Sequence, residues 1–473
     1  MHQTPAYRTL CQFRTDLYDA FDRRADALLD LTGALLSAGP ITAPVHLSTA
    51  PAHRRGWGSV YAALSEGRID REALLRRLAA LPLADGPALY AVDSSPWPRR
   101  AAHTSPERGY CYSAAYQTGG QPVVAGWAYQ WIAQLNLDDD SWTAPMDALR
   151  VRPDQNLHAV AVGQIQALLA RRAPAPVPPL FVFDAGYDPV QLTLALVDTA
   201  AALLVRLRKD RCFFADPPAR DASTLGRPRR HGARFDCKQP ASWPAPSGVH
   251  TAIDERHGVV RVRAWAGLHA RPKRQVGRHR NPAQPLARGT VVLVEAERVP
   301  GQAKGPQVLW LWWAGSGRPD LALLWRAYLH RFDVEHTFRL CKQSLGWTTP
   351  RLRQPEQADR WTLLVLAAYT QPRLARAIVA DCRLPWERPL PAGQVTPYRV
   401  LRAFPALLPR LGTVASAPKP CGRSPGRPRG RRSPRAPRFP PIKKASRRPV
   451  PPPSCPAADR FRGGLVSSCL NPE

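Results

Sequence analysis

Two short apolar runs constrain this chain more than any other feature. Ala-Leu-Tyr-Ala-Val at 88–92 leads straight into Asp93, and Leu-Phe-Val-Phe at 180–183 leads into Asp184. Runs of this kind read as buried strands. Strands side by side in one sheet bring such ends together, at the edge where open α/β sheets carry their sites. The residues between fit that reading. Tyr110 to Tyr116 and Val123 to Leu135 read as strands around a Thr-Gly-Gly-Gln turn at 118–121. Met146 to Arg171 contains a helical stretch, clearest from Ala159. After a Pro-rich spacer and the second apolar run, Asp188 and Pro189 form an N-cap and first-turn pair for a helix reaching about Leu203. Leu203 to Leu207 is one more strand. The order is three strands, helix, strand, helix, strand, an α/β core.

The flanks differ. Residues 1–85 read as a helical domain, with apolar positions at helical spacing through Leu17, Phe21, Ala25 and Leu28 and a break at Gly39-Pro40. Its basic edge, including Arg54, Arg55 and Arg68, suits either DNA docking or a solvated face. The core occupies 86–208. Residues 209–318, rich in Gly, Pro and Arg, are far too many for a loop. They carry strand-like runs at Val259–Trp265, Thr290–Glu297 and Val308–Trp313, and so read as a β-rich insertion. The core resumes over 319–380, with one long helix from Asp320 to Leu345 and another from Ala358 to Ile378. A C-terminal extension covers 381–415. The last segment, 416–473, has no acid before Pro452 and is dense in Pro and Arg. It buries too little apolar surface to fold alone and reads as a disordered basic tail.

Charge narrows the partners. Lys and Arg total 67 against 36 Asp and Glu, a net charge of +31, which points to a polyanion, most simply nucleic acid. Arginine outnumbers lysine heavily, and with 52 prolines part of that bias reflects a GC-rich coding sequence. No apolar run reaches the ~18 residues of a membrane helix. The N-terminus lacks a secretory pattern. The nine cysteines form no C-x-x-C pair, so zinc ribbons and disulfide scaffolds are not indicated. A reducing, cytoplasmic, nucleoid-associated location is the expectation.

A third acid, Glu335, lies on the long helix. Three converging carboxylates repel one another. Two Mg²⁺ ions, or Mn²⁺, relieve that repulsion, since carboxylates are hard oxygen ligands, and paired ions clamp the attacking and leaving oxygens of phosphoryl transfer. Tyr328, Arg331, Glu335 and Lys342 form Y-x2-R-x3-E-x6-K, and with Phe338 they recur at 3 and 4 on one helix face. The bland alternative is a solvated face with an Arg331–Glu335 pair.

The four-residue spacing resembles the signature of a large group of bacterial insertion-sequence transposases with a DDE site. The strand order resembles their RNase H-like core, with a β insertion before the last acid. The segments AVDSSPW, FVFDAGYD, RFDVEHTFRLCKQSLGWT and ADRWTLLVLAAYTQPRLAR are similar to one actinobacterial-type transposase family over most of residues 30 to 445. The resemblance implies an α/β, RNase H-like fold in which Asp93, Asp184 and Glu335 are catalytic metal ligands for Mg²⁺. It also implies that Tyr328, Arg331 and Lys342 grip double-stranded DNA at the element ends and target, and that the protein works as a homodimer. The implied activity is metal-dependent strand cleavage and strand transfer. Rival readings are another RNase H-like nuclease and a transposase-derived DNA-binding protein without catalysis.

Other features have two readings each. Asp188 is an N-cap or a fourth ligand. Trp310, Trp312 and Trp313 are β-core packing or, as in related transposases, a seat for a flipped base. His336 lies off the acid face as a contact residue. Gly426-Arg427-Pro428, with Arg423 and Arg429, resembles an AT-hook, in which arginines enter a narrow minor groove.

Overall fold

The computed structural model describes residues 4–39, 41, 43–81, 83, 86–113, 122–138, 140–219, 228–271, 285–298, 307–391, 394–420, 426, 428, 430, 432 and 434–443. The turn expected at 118–121, strand residues 114–116 and the AT-hook arginines Arg427 and Arg429 lie outside them.

The chain opens with α1 (Pro5–Asp19), β1 (Phe21–Arg23), α2 (Ala25–Ser37), α3 (Trp57–Glu66), β2 (Arg68–Ile69) and α4 (Arg71–Ala79). Thr4 and Asp70 cap α1 and α4 by accepting backbone N–H bonds. The core follows as β3 (Leu89–Pro98), β4 (Gly109–Tyr112), β5 (Val123–Leu135), β6 (Ala144–Val151), α5 (Leu157–Arg171), β7 (Leu180–Phe183), α6 (Pro189–Ala195) and β8 (Ala202–Leu207). The insertion supplies β9 (Cys212–Phe214), β10 (Arg234–Asp236), β11 (Gly248–Asp254), β12 (Gly258–His269), β13 (Arg288–Ala296) and β14 (Gln307–Ala314). Last come α7 (Leu321–His330), α8 (Asp333–Gln343), α9 (Pro355–Ala375) and α10 (Pro397–Leu411).

β6, β5 and β3 form an antiparallel meander, and β7 and β8 add to β3 in parallel. This order, β6-β5-β3-β7-β8, is consistent with an RNase H-like DDE fold. The insertion strands do not stand apart, because β14 pairs antiparallel with β8 and carries β13 and β12 into the same large mixed sheet. One sheet face, with Tyr90, Val92, Phe181 and Phe183, packs with residues of α5 and α6. The other, with Ala91, Trp97, Trp131 and Leu204, joins a continuous core running from Leu10 to Leu408. At its centre lies α9, buried on every side from Trp361 to Pro372 and touching α1, α2, α3, α10 and β6.

Several expectations change. Asp320–Leu345 is two helices, not one. Arg331 and Phe332 keep helical dihedrals, but the bonds there tighten to i→i+3. Phe332 N–H donates to Leu329 O at 3.2 Å, and Glu335 N–H to Phe332 O at 3.0 Å. β6 falls where the reading began a helical region, and α10 forms despite Pro405 and Pro409. The tail is not structureless throughout. Phe439 N–H donates to His103 O at 2.8 Å and Ile442 N–H to Arg108 O at 2.7 Å, and Ile442 bridges Gly109 in parallel. The buried guanidinium of Arg108 holds Phe439 O at 2.7 Å. Sequence composition misses this because the loop, not the tail, supplies the partners. Among the described residues no helix is long and apolar enough to cross a membrane.

Candidate active site

Register brings the first two acids together. β3 and β7 pair in parallel up to Val92 with Phe183, so Asp93 and Asp184 are the next residue on each chain. Asp93 does not end its strand as expected. It is the fifth residue of a ten-residue strand, and β3 continues beside β5 to Pro98, with Asp93 opposite Trp131. Only its parallel neighbour stops. Asp184 lies on the turn after β7, where its Oδ1 accepts the Gly186 N–H at 3.0 Å. β7 and β8 pair up to Phe183 with Val205, which brings Arg206 level with Asp184.

Asp93 is 8% exposed. Its Oδ1 accepts the Ser94 N–H at 2.7 Å, and its Oδ2 accepts Arg331 Nη1 at 2.9 Å. Burial pushes its carboxyl up to about 6; Arg331 opposes that shift, while the charges of Asp184 and Glu335 add to it. Both of the other acids are therefore within electrostatic reach of Asp93. Glu335 sits in the first turn of α8. Behind Asp93 lies a buried polar prop: Tyr187 OH donates to Gln130 Oε1 at 2.6 Å, and Gln130 Nε2 donates to the Asp93 carbonyl at 3.1 Å.

The face expected over 328–342 looks inward. Tyr328 is buried between two guanidinium groups, 5.8 Å from that of Arg206 and 5.9 Å from that of Arg331, and its hydroxyl accepts Arg206 Nη1 at 3.3 Å. Phe338 packs edge-on to Trp131 at 5.6 Å. The Lys342 ammonium lies 5.7 Å from the Phe338 ring and 5.9 Å from that of Trp347. Burial lowers its pKa, while Glu335 and Asp93 pull it back up. Because the helix breaks at 331–332, Arg331 reaches the sheet from the end of α7. His336 and Arg339 are exposed.

Hard, mutually repelling carboxylates suit Mg²⁺ or Mn²⁺ in their donor chemistry. As the described side chains stand, no three of His, Cys, Asp or Glu converge closely enough to grip an ion, and Arg331 holds one Asp93 oxygen. Asp188 is the N-cap of α6, accepting Val190 N–H at 3.0 Å, as its N-cap reading anticipated. Trp310, Trp312 and Trp313 are core residues, and Trp312 Nε1 donates to Thr193 Oγ1 at 3.0 Å. Sequence reading missed Arg206 and Gln130. The signal for each was a polar residue inside an apolar strand, Arg206 in LLVRL and Gln130 in WAYQWI.

The family model described as DDE superfamily endonuclease matches residues 16–291. No curated protein matches the chain. The match covers more than half of the chain and spans Asp93, Asp184 and Arg206, while Glu335 follows it. Members of this superfamily use divalent metals, generally Mg²⁺, and act on DNA. With the two aspartates level at the end of β7 and the sheet order around them, the chain belongs to the DDE superfamily endonucleases.

Proposed function

We propose that this protein is the transposase of an insertion sequence, cutting DNA at the element ends and joining them to new DNA. The observation that carries the reading is the register of β3 and β7 that sets Asp93 beside Asp184, with the charge of Glu335, from a different part of the chain, also felt at Asp93. These three residues would hold two Mg²⁺ ions, with Mn²⁺ an acceptable substitute. Bound there, the ions would acidify a water and stabilise charge on the phosphoryl oxygens.

The protein's own groups do the positioning. Arg331 exchanges its Asp93 partner for a phosphate oxygen as the acids are neutralised. Arg206, Tyr328 and Lys342 line the same side of the sheet and hold the flanking phosphates through charge-assisted bonds. Gln130 and Tyr187 fix the backbone under Asp93. In the first step water attacks phosphorus, the P–O3′ bond breaks, and a 3′-OH is left. In the second that hydroxyl attacks another phosphodiester, forming one P–O bond and breaking one. Arg427 and Arg429 would add minor-groove contacts, and two copies of the chain would pair the two ends.

A joining assay with pre-cut ends tests this. A transposase joins 3′-OH ends to target DNA in Mg²⁺. Cleavage of intact ends without joining identifies a nuclease, and binding without either identifies a DNA-binding derivative.

A further inference from the structure

Both oxygens of the Asp93 carboxylate are engaged. Oδ1 accepts the N–H of Ser94, its neighbour in the chain, at 2.7 Å, and Oδ2 accepts Arg331 Nη1 at 2.9 Å. The strand fixes the first donor. The second is a side chain on the joint between α7 and α8, and is replaceable. The Arg331 and Asp93 side chains are 13% and 11% exposed, while Phe332, next to Arg331, is 59% exposed. The pair therefore lies just below the surface.

Arg331 has a second hold. Its guanidinium lies 5.9 Å from the Tyr328 ring, a seat it can keep when its carboxylate partner changes. Burial works against the charge of Arg331, and Asp93, Tyr328 and Asp184 outweigh it. A charge buried to this degree is strongly disfavoured once its partner is removed. A divalent ion arriving alone at Asp93 would leave Arg331 in that state and set more positive charge beside it. A backbone phosphate offers Arg331 an anion of equivalent geometry.

We propose that Arg331 is a latch on Asp93 that DNA opens, so that ion binding and DNA-end binding each strengthen the other. Without DNA, Arg331 occupies Asp93 Oδ2 and weakens ion binding without abolishing it. When a phosphate of the end takes up the guanidinium, Oδ2 is released. The three acids then take up ions on DNA far more readily than away from it. Giving up one hydrogen bond between charged groups corresponds to about ten- to hundredfold in affinity, and reciprocity requires the same factor in both directions. This rests on the reading of Asp93 as an ion ligand and adds what controls access to it.

The test measures Mn²⁺ binding to the full-length chain by electron paramagnetic resonance, with and without end DNA already cut, so that no strand is cleaved. Ions held by the DNA alone are measured separately and subtracted. Without DNA, Arg331→Met should bind Mn²⁺ about ten- to hundredfold more tightly than wild type. Lys342→Met is the control for charge alone, since the Lys342 ammonium also interacts electrostatically with Asp93; its affinity should stay near wild type. Cut-end DNA should tighten Mn²⁺ binding to wild type by about the factor that Arg331→Met gains, and should add little in Arg331→Met. No gain in Arg331→Met, or an equal gain in Lys342→Met, would overturn the latch. So would a wild-type affinity that DNA leaves unchanged, a result that needs no variant to fold. Asp93→Asn on cut-end DNA separates the two ideas. Mn²⁺ binding as tight as that of wild type rejects Asp93 as a ligand and the site with it, whereas weakened binding together with no gain in Arg331→Met rejects the latch alone.

Discussion

Asp93 is pulled in opposite directions. Burial and two neighbouring acids favour its protonated form, and Arg331 favours the carboxylate. With its value at about 6 instead of the usual 3.8, the folded protein binds this proton more tightly than the unfolded chain does. Metal-free stability contributed by this group therefore falls as pH rises from about 3.8 to about 6. A divalent ion needs the carboxylate and competes with the proton. Mg²⁺ should raise the melting temperature clearly at pH 7.5 and much less at pH 5.5, as read by differential scanning fluorimetry. An equal rise at both values would mean that Asp93 is not a ligand. Arg331→Ala and Lys342→Ala should each lower cleavage about ten- to hundredfold, the scale of removing a hydrogen bond to a charged group, without unfolding the protein. Arg339→Ala, exposed on α8, should stay near wild type. Comparable losses at all three would indicate a general field in place of placed contacts. At this scale the placement of Asp93 beside Asp184 was legible, because two apolar runs each lead into an acid. Arg206 was not, since its place beside Asp184 depends on strand register.

At the scale of elements, α8 is held through the turn that follows it. Gly346 has φ +62 and faces Ile41, where a Cβ would meet the Ile41 Cβ at 2.9 Å. Trp347, fully buried, then packs on Trp97, Tyr129 and Trp131 and donates Nε1 to Thr362 Oγ1 at 2.9 Å. Trp347→Ala should cost about 3–5 kcal/mol, measured by urea unfolding, and should reduce cleavage by loosening Glu335. A loss below about 1 kcal/mol would show that the turn can repack. The break between α7 and α8 could not be read from sequence, because Arg331 and Phe332 are ordinary helix residues and only the bonding pattern shifts. β6 was hidden for another reason. Its buried Asp147, paired with Arg71, breaks the apolar pattern that marks a strand.

Over the whole molecule, the α/β order was legible from the sequence of strand and helix periods, but the joins between regions were not. That β14 extends the core sheet, or that Phe439 and Ile442 dock on the loop after β3, depends on pairings between residues more than a hundred or three hundred positions apart. Truncation distinguishes the docked part of the tail from the rest. Removing 444–473 should leave the melting temperature unchanged while flattening the log–log salt slope of DNA binding by about 0.9 for each phosphate that the shortened chain no longer neutralises. Removing 434–473 should also lower the melting temperature, because Arg108 and the β4 edge lose their partners. An unchanged melting temperature in the second truncation would show that the docking adds no stability.

The most direct measurement of the central claim is strand cleavage of end DNA in Mg²⁺ by Asp93→Asn, Asp184→Asn and Glu335→Gln, beside end binding by the same proteins. Each amide removes charge from the site while keeping its bulk. All three variants should bind as wild type does and cleave at least about a hundredfold more slowly. Near-wild-type cleavage by any one of them would contradict the assignment of that acid, and by Glu335→Gln would leave the site without its third carboxylate.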